Sequence, residues 1–583
     1  MPEEETQTHE QELSYDPLTE LLALVEDIKV EDNSDKDPYE NLSVEETLSQ
    51  RIIDGNKTNI NSDLQKALDS GHKPLDIINK FLMDGMKIVG ERFGAGEMQL
   101  PFVLQSATTM KKAVSFLEPF MDKLEASSNK GTVVLATVKG DVHDIGKNLV
   151  DIILSNNGYK VHNLGIKIPV EEIIKAVEEH KPDLIALSGL LVKSTLIMKQ
   201  NLEVLNERGI DLPIILGGAA LTRRFVEQDC ANTYNGYVYY GYDAFTDLDI
   251  MERLNSGKSY EEIKEEFYKT KAVESNGDNP YQEVGESDED EYVPLLDYTD
   301  KLSETKAIKR ENIPEIPFYG DKVIGPEEID LDEMWQYLNL DAMIIGQWRM
   351  GKGKKTQEEY DKLLKEEIYP TLERLKKETR SHPWLKPKIV HGYYYCKIDP
   401  EHPNKLNLFS EDKKEIIDSF TFPRQNSGEY LCLSDYFRTE DDGFNIVGFQ
   451  LVTIGVEAAE FVQGLYNSGD FAEYLYYYGL ATESTEALAE YSHARIRKEL
   501  GYEAKDNKDD IKKLLRGGYH GMRYSFGYPA CPRLEDQEKL FTLLKPERIG
   551  MKLSEEWQIH PEHSTSAIVI HHPDAKYYNV KVK

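Results

Sequence analysis

Cysteine, long apolar runs and positive charge are all in short supply in this 583-residue chain. The four cysteines, Cys230, Cys396, Cys432 and Cys531, are scattered without a C-x-x-C pair. That excludes a disulfide framework and a cysteine-built zinc site, and fits a reducing cytoplasm. No apolar run reaches the ~18 residues needed to span a bilayer. Residues 1–20 are acidic, unlike the basic-then-apolar pattern of a signal. Lysine and arginine total 69 against 105 aspartates and glutamates, a formal net charge of −36. Such a chain repels phosphates, so neither nucleic acid nor an anionic membrane is an expected partner. No internal repeat is visible, and the length suggests three or four domains.

Residues 1–40 read as a flexible acidic segment. From Ser43 the pattern turns helical: Ser43-Val44-Glu45-Glu46 has the form of a capping box. Leu75, Ile78, Leu82, Met86, Val89 and Phe93 step by three and four, as do Val103, Ala107, Met110, Val114 and Leu117. That is the apolar stripe of packed helices, and a four-helix bundle is expected over residues 41–128.

Next comes an alternation of short apolar runs and helical segments over residues 129–255. The runs Val133–Val138, Val161–Leu164, Leu184–Leu187, Ile214–Leu216 and Val238–Tyr240 predict a doubly wound, Rossmann-like parallel sheet. The first run leads into Gly140-Asp141-Val142-His143-Asp144-Ile145-Gly146, which puts His143 beyond the carboxyl end of a strand, where such sheets place ligands. Asp141 can take one imidazole N–H, leaving the other nitrogen for a metal. A loop histidine capped by a nearby carboxylate would use the same residues. Ser188 and Gly217-Gly218 stand at the ends of the third and fourth strands. Missing side chains there make room for a ligand, although two glycines can also simply end a strand.

D-x-H-x-x-G with a strand-end serine and Gly-Gly resembles the cobalamin-binding module of corrinoid enzymes. The order of bundle then sheet is similar to the cap and cobalamin domains of cobalamin-dependent methionine synthase. The resemblance implies that His143 is the lower axial ligand of cobalt, that Asp141 and Ser194 form a relay behind it, and that Gly140, Val142, Asp144, Ser188, Val192, Gly217, Gly218 and Ala244 contact the cofactor. It also implies that Phe93, Leu100 and Val103 cover the upper, methyl-bearing face of the corrin. Asn79 stands where some relatives have a carboxylate, and Val192 where a threonine can occur.

Residues 256–325 contain Glu286-Ser287-Asp288-Glu289-Asp290-Glu291 and several prolines, the composition of an acidic linker. Residues 326–583 are expected to form a mixed α+β domain with a long helix from Ala458 to Glu499. Arg523-Tyr524-Ser525-Phe526-Gly527-Tyr528-Pro529-Ala530-Cys531-Pro532 cannot be a regular helix. From chemistry alone, Arg523 and the pair Tyr577-Tyr578 suit either a ligand or an ordinary core. Arg-x-x-x-Gly-Tyr-Pro-Ala-Cys-Pro and His-Pro-Asp-x-Lys-Tyr-Tyr, however, resemble the activation domain of the same family, with weaker support from Glu490-Tyr491-Ser492-His493. On that resemblance Arg523 binds the S-adenosylmethionine carboxylate, Tyr577 and Tyr578 line its site, Tyr528 nears the corrin, and Asn339 replaces an aspartate that holds the amino group.

The resemblance further implies methyl carriage on cobalt, as methylcobalamin, between methyltetrahydrofolate- and homocysteine-binding modules. This chain has no room for those modules, so they belong to another chain or to a longer protein. Reactivation would use S-adenosylmethionine and an electron from a flavodoxin-like reductant, with Lys352, Lys354, Lys355, Arg495, Arg497 and Lys498 as a basic dock. The rival readings are a corrinoid carrier of another methyltransferase system and a non-catalytic cobalamin-binding regulator. Carriers end near residue 250, and no output module for a regulator is recognisable.

Overall fold

The computed structural model describes residues 38–40, 42–120, 130–190, 192–259, 262–263, 302–503, 506, 511–555 and 557–580. The acidic runs expected near the amino terminus (residues 1–37) and at 286–291 lie outside the described residues. No helix among the described residues is long and apolar enough to cross a membrane.

Four helical runs make the first unit. They are α1 (Val44–Ile53), α2 (Ile60–Asp69), a run ending in α3 (Met83–Gly94), and α4 (Leu100–Leu117). The capping box forms as its sequence dictates: Ser43 Oγ accepts from the Glu46 amide at 3.2 Å, and the Ser43 amide donates to Glu46 Oε2 at 2.9 Å. Leu48, Ile52, Leu64, Leu82, Val89, Val103 and Met110 fill the core. Arg51 is buried with them and is neutralised by Asp63 at 2.6 Å. The third run enters through a π-helical turn, Ile77–Leu82, which periodicity does not reveal.

The second unit is a five-stranded parallel sheet in the order β2-β1-β3-β4-β5, with β1 Thr132–Thr137, β2 Lys160–Asn163, β3 Leu184–Ser188, β4 Ile214–Gly217 and β5 Val238–Gly241. Alternate strand residues feed two cores, the pattern of a sheet covered on both faces. Val134, Ala136, Ile185 and Leu187 pack under the helices Val170–His180 (α6) and Val192–Glu207 (α7). Val133, Leu135, Leu184 and Ala186 pack on the opposite side against Leu154 of α5 (Ile145–Asn156) and Ile250 and Met251 of α8 (Ala244–Asn255). The chain leaves β1 in one direction towards β2 and returns on the other side as β3. The β1 end is therefore the switch point at which open sheets bind ligands.

The third unit is built on an antiparallel sheet in the order β11-β14-β10-β7-β8-β9, with β6 (Gly320–Ile324) also paired to β7. Its strands are β7 Lys388–Ile398, β8 Lys405–Phe409, β9 Ile416–Thr421, β10 Asn445–Thr453, β11 Met522–Ser525 and β14 Ser564–Ile570; a two-stranded ribbon, β12 Lys552–Leu553 and β13 Ile559–His560, precedes β14. Helix α9 (Tyr369–Ser381), α10 (Val456–Ser468) and the 29-residue α11 (Phe471–Glu499) pack on it. The helical region expected from Ala458 is thus two helices, divided at Gly469, whose φ of +81° suits a left-handed helix cap.

Candidate functional site

At the carboxyl edge of the parallel sheet, Thr137, Ser188, Gly217 and Gly241 lie side by side in register. The chain leaves β1 through a turn in which the Asp141 amide donates to Val138 O at 3.1 Å. Gly140 has φ +80°, a conformation other residues rarely adopt. This turn folds Asp141 inward, fully buried, and projects His143 beside it.

Asp141 is the hub of the site. Its Oδ1 accepts from the His143 amide at 3.0 Å and pairs with His143 Nδ1 at 2.7 Å. Its Oδ2 accepts from the Ser194 hydroxyl at 2.6 Å and from the Leu190 amide at 2.7 Å. Burial alone would raise the Asp141 carboxyl, but the bond and charge of His143, helped by Ser194, bring it down to about 2. Burial likewise opposes charge on His143, and Asp141 overcomes it, so the imidazole is more basic than usual. Nδ1 is thereby committed to the carboxylate. Nε2 has no hydrogen-bond partner among the described residues, and about 29% of the side chain remains exposed.

The strand-end glycines do more than end strands. A β-carbon at Gly218 (φ +148°) would lie 1.8 Å from Gly189 O, so the backbones there approach as only glycine allows. These features give the fit test for a corrinoid: an oriented imidazole with one uncommitted nitrogen, at a sheet edge where Gly217, Gly218 and Gly241 carry no side chain. The residues fit. Ser188 sits on this rim, and Ala244 opens α8 next to it, packed against the bundle. Val192 opens α7.

Of the three expected lid residues, Phe93 stacks on Phe245 of α8 at 4.0 Å, Val103 lies in the bundle core, and Leu100 is buried against the third unit. The His143 loop meets the segment around β13 instead. Val142 N donates to Gln558 Oε1 at 3.1 Å. Glu562 accepts from Tyr478 at 2.7 Å. Burial, with the charge of Asp144 nearby, pushes Glu562 up to about 7; His563, with both ring nitrogens unpartnered, falls to about 4 through burial and the charge of His143. Nothing in the composition of Gln558, Glu562 and His563 marked them in the sequence; only the packing of the units brings them here.

A second concavity, of about 430 Å³, lies between α11 and β11 and is lined by Glu486, Glu490, Tyr519, Arg523, Tyr528 and Tyr577 among others. Arg523 Nη2 reaches Glu490 Oε1 at 3.1 Å and Glu486 Oε2 at 3.2 Å. Burial works against the arginine charge, and the two carboxylates more than offset it. A guanidinium, two carboxylates and two half-exposed tyrosine rings suit a zwitterion that carries a flat heterocycle. Glu486 and Glu490 are one helical turn apart, a spacing readable in the sequence once Arg523 is known to face that turn.

Other expected ligands sit elsewhere. Tyr578 is buried in the sheet core, 7% exposed, because successive residues of the extended terminal segment point to opposite sides. Asn339 is exposed and caps the next turn through its bond from the Ala342 amide at 3.1 Å. In the basic group, Arg497 is fully buried against Asp506 at 2.8 Å, and Arg495 pairs with Glu499 at 3.1 Å.

The family profiles follow this layout. The profile of the vitamin B12 dependent methionine synthase activation domain matches residues 330–582, and two B12 binding domain profiles match residues 44–118 and 131–249. Methionine synthase of Mycobacterium tuberculosis is 41% identical over 596 residues, covering 97% of this chain and 49% of that protein. That of Mycobacterium leprae is 40% identical over 597 residues, with the same coverages. The chain therefore spans about half the length of these relatives. Among solved structures, the MetH reactivation domain bound to AdoHcy is 24% identical with a TM-score of 0.41, covering 46% of this chain and 83% of that one. The methanol:cobalamin methyltransferase complex of Methanosarcina barkeri is 29% identical with a TM-score of 0.34, covering 41% and 93%. The chain carries two B12 binding domains and a vitamin B12 dependent methionine synthase activation domain, and is homologous to about half of a methionine synthase.

Proposed function

We propose that this chain is the cobalamin-carrying and reactivating half of a methionine synthase, a methyltransferase whose homocysteine- and methyltetrahydrofolate-binding modules lie outside it. The observation that carries the reading is the His143 imidazole, held at Nδ1 by buried Asp141 with Nε2 uncommitted. Cobalamin, when bound, supplies a cobalt atom that accepts a methyl group from one donor and yields it to another acceptor.

The chain's own residues do the rest. His143 would hold the cobalt through Nε2, its ring plane and tautomer fixed by Asp141 at Nδ1. Ser194 and the Leu190 amide hold the far oxygen of that carboxylate, so a proton can be retained or released behind the ligand. Gly140, Val142, Asp144, Ser188, Val192, Gly217, Gly218 and Ala244 form the surrounding rim. Phe93, Leu100 and Val103 form the apolar lid when the bundle closes, which excludes water.

In the activation domain, Arg523 binds the carboxylate of S-adenosylmethionine, Glu486 and Glu490 favour its positive charge, and Tyr528 and Tyr577 flank its rings. The electron for reactivation comes from a flavodoxin-like protein. A corrinoid carrier of another methyltransferase system is the second reading, and the cavity at Arg523 disfavours it. Calorimetric titration of S-adenosylmethionine onto the purified chain decides between them: saturable binding lost in Arg523→Gln supports reactivation, and no binding leaves the carrier.

A further inference from the structure

The cavity between α11 and β11 is lined by two arginines, Arg516 and Arg523, in different electrostatic situations. Arg523 already carries two protein carboxylates. Its Nε and Nη2 donate to Glu490 Oε1 at 3.2 and 3.1 Å, and Nη2 also reaches Glu486 Oε2 at 3.2 Å. Of that guanidinium, Nη1 alone has no protein partner among the described residues. Arg516 is exposed, and its guanidinium makes no hydrogen bond or ion pair among the described residues. A chain of net charge −36 has carboxylates in excess, so this arginine is not unpaired for want of acids.

The backbone fixes where Arg516 stands. The short helix Ile511–Leu515 closes on it, with Gly517 N donating to Leu514 O at 2.9 Å and Gly518 N to Lys513 O at 2.9 Å. These are the two bonds of a glycine-closed helix end. Gly517 has φ +85°, and a β-carbon at Gly518 would lie 2.5 Å from Lys513 O. From this turn the chain runs through Tyr519, another lining residue, into β11 and Arg523. The Arg497 guanidinium lies 4.3 Å over the Tyr519 ring, and the His493 ring meets it edge-to-face at 4.9 Å. Arg516 and Arg523 are thus the two ends of one short segment, braced in its middle, and both face one concavity.

We propose that Arg516 is a second binding residue for the carboxylate of S-adenosylmethionine, sharing it with Arg523 as a two-arginine clamp. The proposal rests on the reading of this cavity given above. The charges divide accordingly. The Glu490 side chain is 8% exposed and belongs to the wall with Arg523, whereas that of Glu486 is 51% exposed and can turn to a cationic group of the ligand. Arg523 can receive the ligand carboxylate through Nη1, or by giving up a bond to Glu486. Arg516 has no internal bond to give up. Carboxylates favour paired donors, and a guanidinium shared between two glutamates has little of its fork left, so a second guanidinium restores the pair.

Calorimetry on the full chain with two ligands tests this: S-adenosylmethionine, and its decarboxylated analogue, which keeps the sulfonium and the amine. Arg516→Gln should weaken S-adenosylmethionine about tenfold, as expected for one charge-assisted bond open to solvent, and should not weaken the analogue. Arg516→Lys should recover part of the loss. Since Arg516 has no partner in the protein, the melting temperature of either variant should match the parent's, which separates ligand contact from support of the fold. An equal loss for both ligands overturns the assignment, as does S-adenosylmethionine binding that Arg516→Gln leaves intact. Should the unaltered chain bind no S-adenosylmethionine, the functional reading falls and this assignment with it.

Discussion

Replacing Arg523 with glutamine removes from the α11–β11 cavity the guanidinium that is paired with Glu486 and Glu490, while keeping a side chain of similar reach. The arginine side chain is 14% exposed and its partner Glu490 8%, so both charges are largely out of water. A charge-assisted hydrogen bond to a ligand carboxylate is worth about 1.5–3 kcal/mol, which becomes roughly a 10- to 150-fold loss of S-adenosylmethionine affinity. The variant also strands Glu490, whose Oε2 already lacks a partner, at a cost of about 3 kcal/mol in stability. Glu486 is the control: at 51% exposed it forms a solvent-screened pair worth at most about 1 kcal/mol. Glu486→Gln should therefore move the dissociation constant by less than about fivefold, and should weaken the sulfonium ligand more than the neutral S-adenosylhomocysteine. Isothermal calorimetry measures both ligands, and thermal unfolding measures the stability term. Unaltered affinity together with an unaltered melting temperature in Arg523→Gln would refute this account of the cavity.

Other outcomes follow from the same geometry. Gly218→Ala places a β-carbon against Gly189 O at a backbone conformation strained for alanine, and should cost about 2–4 kcal/mol by urea unfolding; a neutral result would show that the rim is slack. Glu499 is opposed by burial, but His391 at 2.9 Å, Tyr393 at 2.7 Å and Arg495 bring it down to about 2 from 4.5. Its folded pKa is depressed, so its contribution is present above pH 4.5 and lost as pH falls towards 2. That amounts to about 3 kcal/mol at 1.36 kcal/mol per unit. The stability gap between the parent chain and Glu499→Gln should shrink by most of that amount between pH 6 and 2.5, and a pH-independent gap would count against the assignment.

Much of this was legible because local chemistry and tertiary structure agree. The β-branched run 132–138, the Gly140 turn and the Ser188 and Gly217 strand ends each have a local cause, and the register of the parallel sheet brings them to one edge. The Ser43–Glu46 box and the apolar steps of the bundle are equally local. What stayed hidden depends on partners distant in sequence. Leu100 has the pattern of a bundle residue, yet it belongs to the apolar cluster of Trp348 and Leu475. Tyr577 and Tyr578 are chemically identical, and only the placement of the terminal segment sends one to the cavity and the other to the core. Arg497 looks like a surface cation until Asp506 is found beside it. The π-helical turns at Ile77–Leu82 and Phe225–Cys230 shift the helical phase without a composition signal.

The claim beneath all of this is that His143 Nε2 is kept free for a cobalt ion. Visible absorption of the chain loaded with methylcobalamin, parent beside His143→Gly, tests it most directly. The account predicts that both bind the cofactor and that only the parent shows the spectrum of an imidazole-ligated corrinoid. Identical spectra from the two loaded proteins would contradict it.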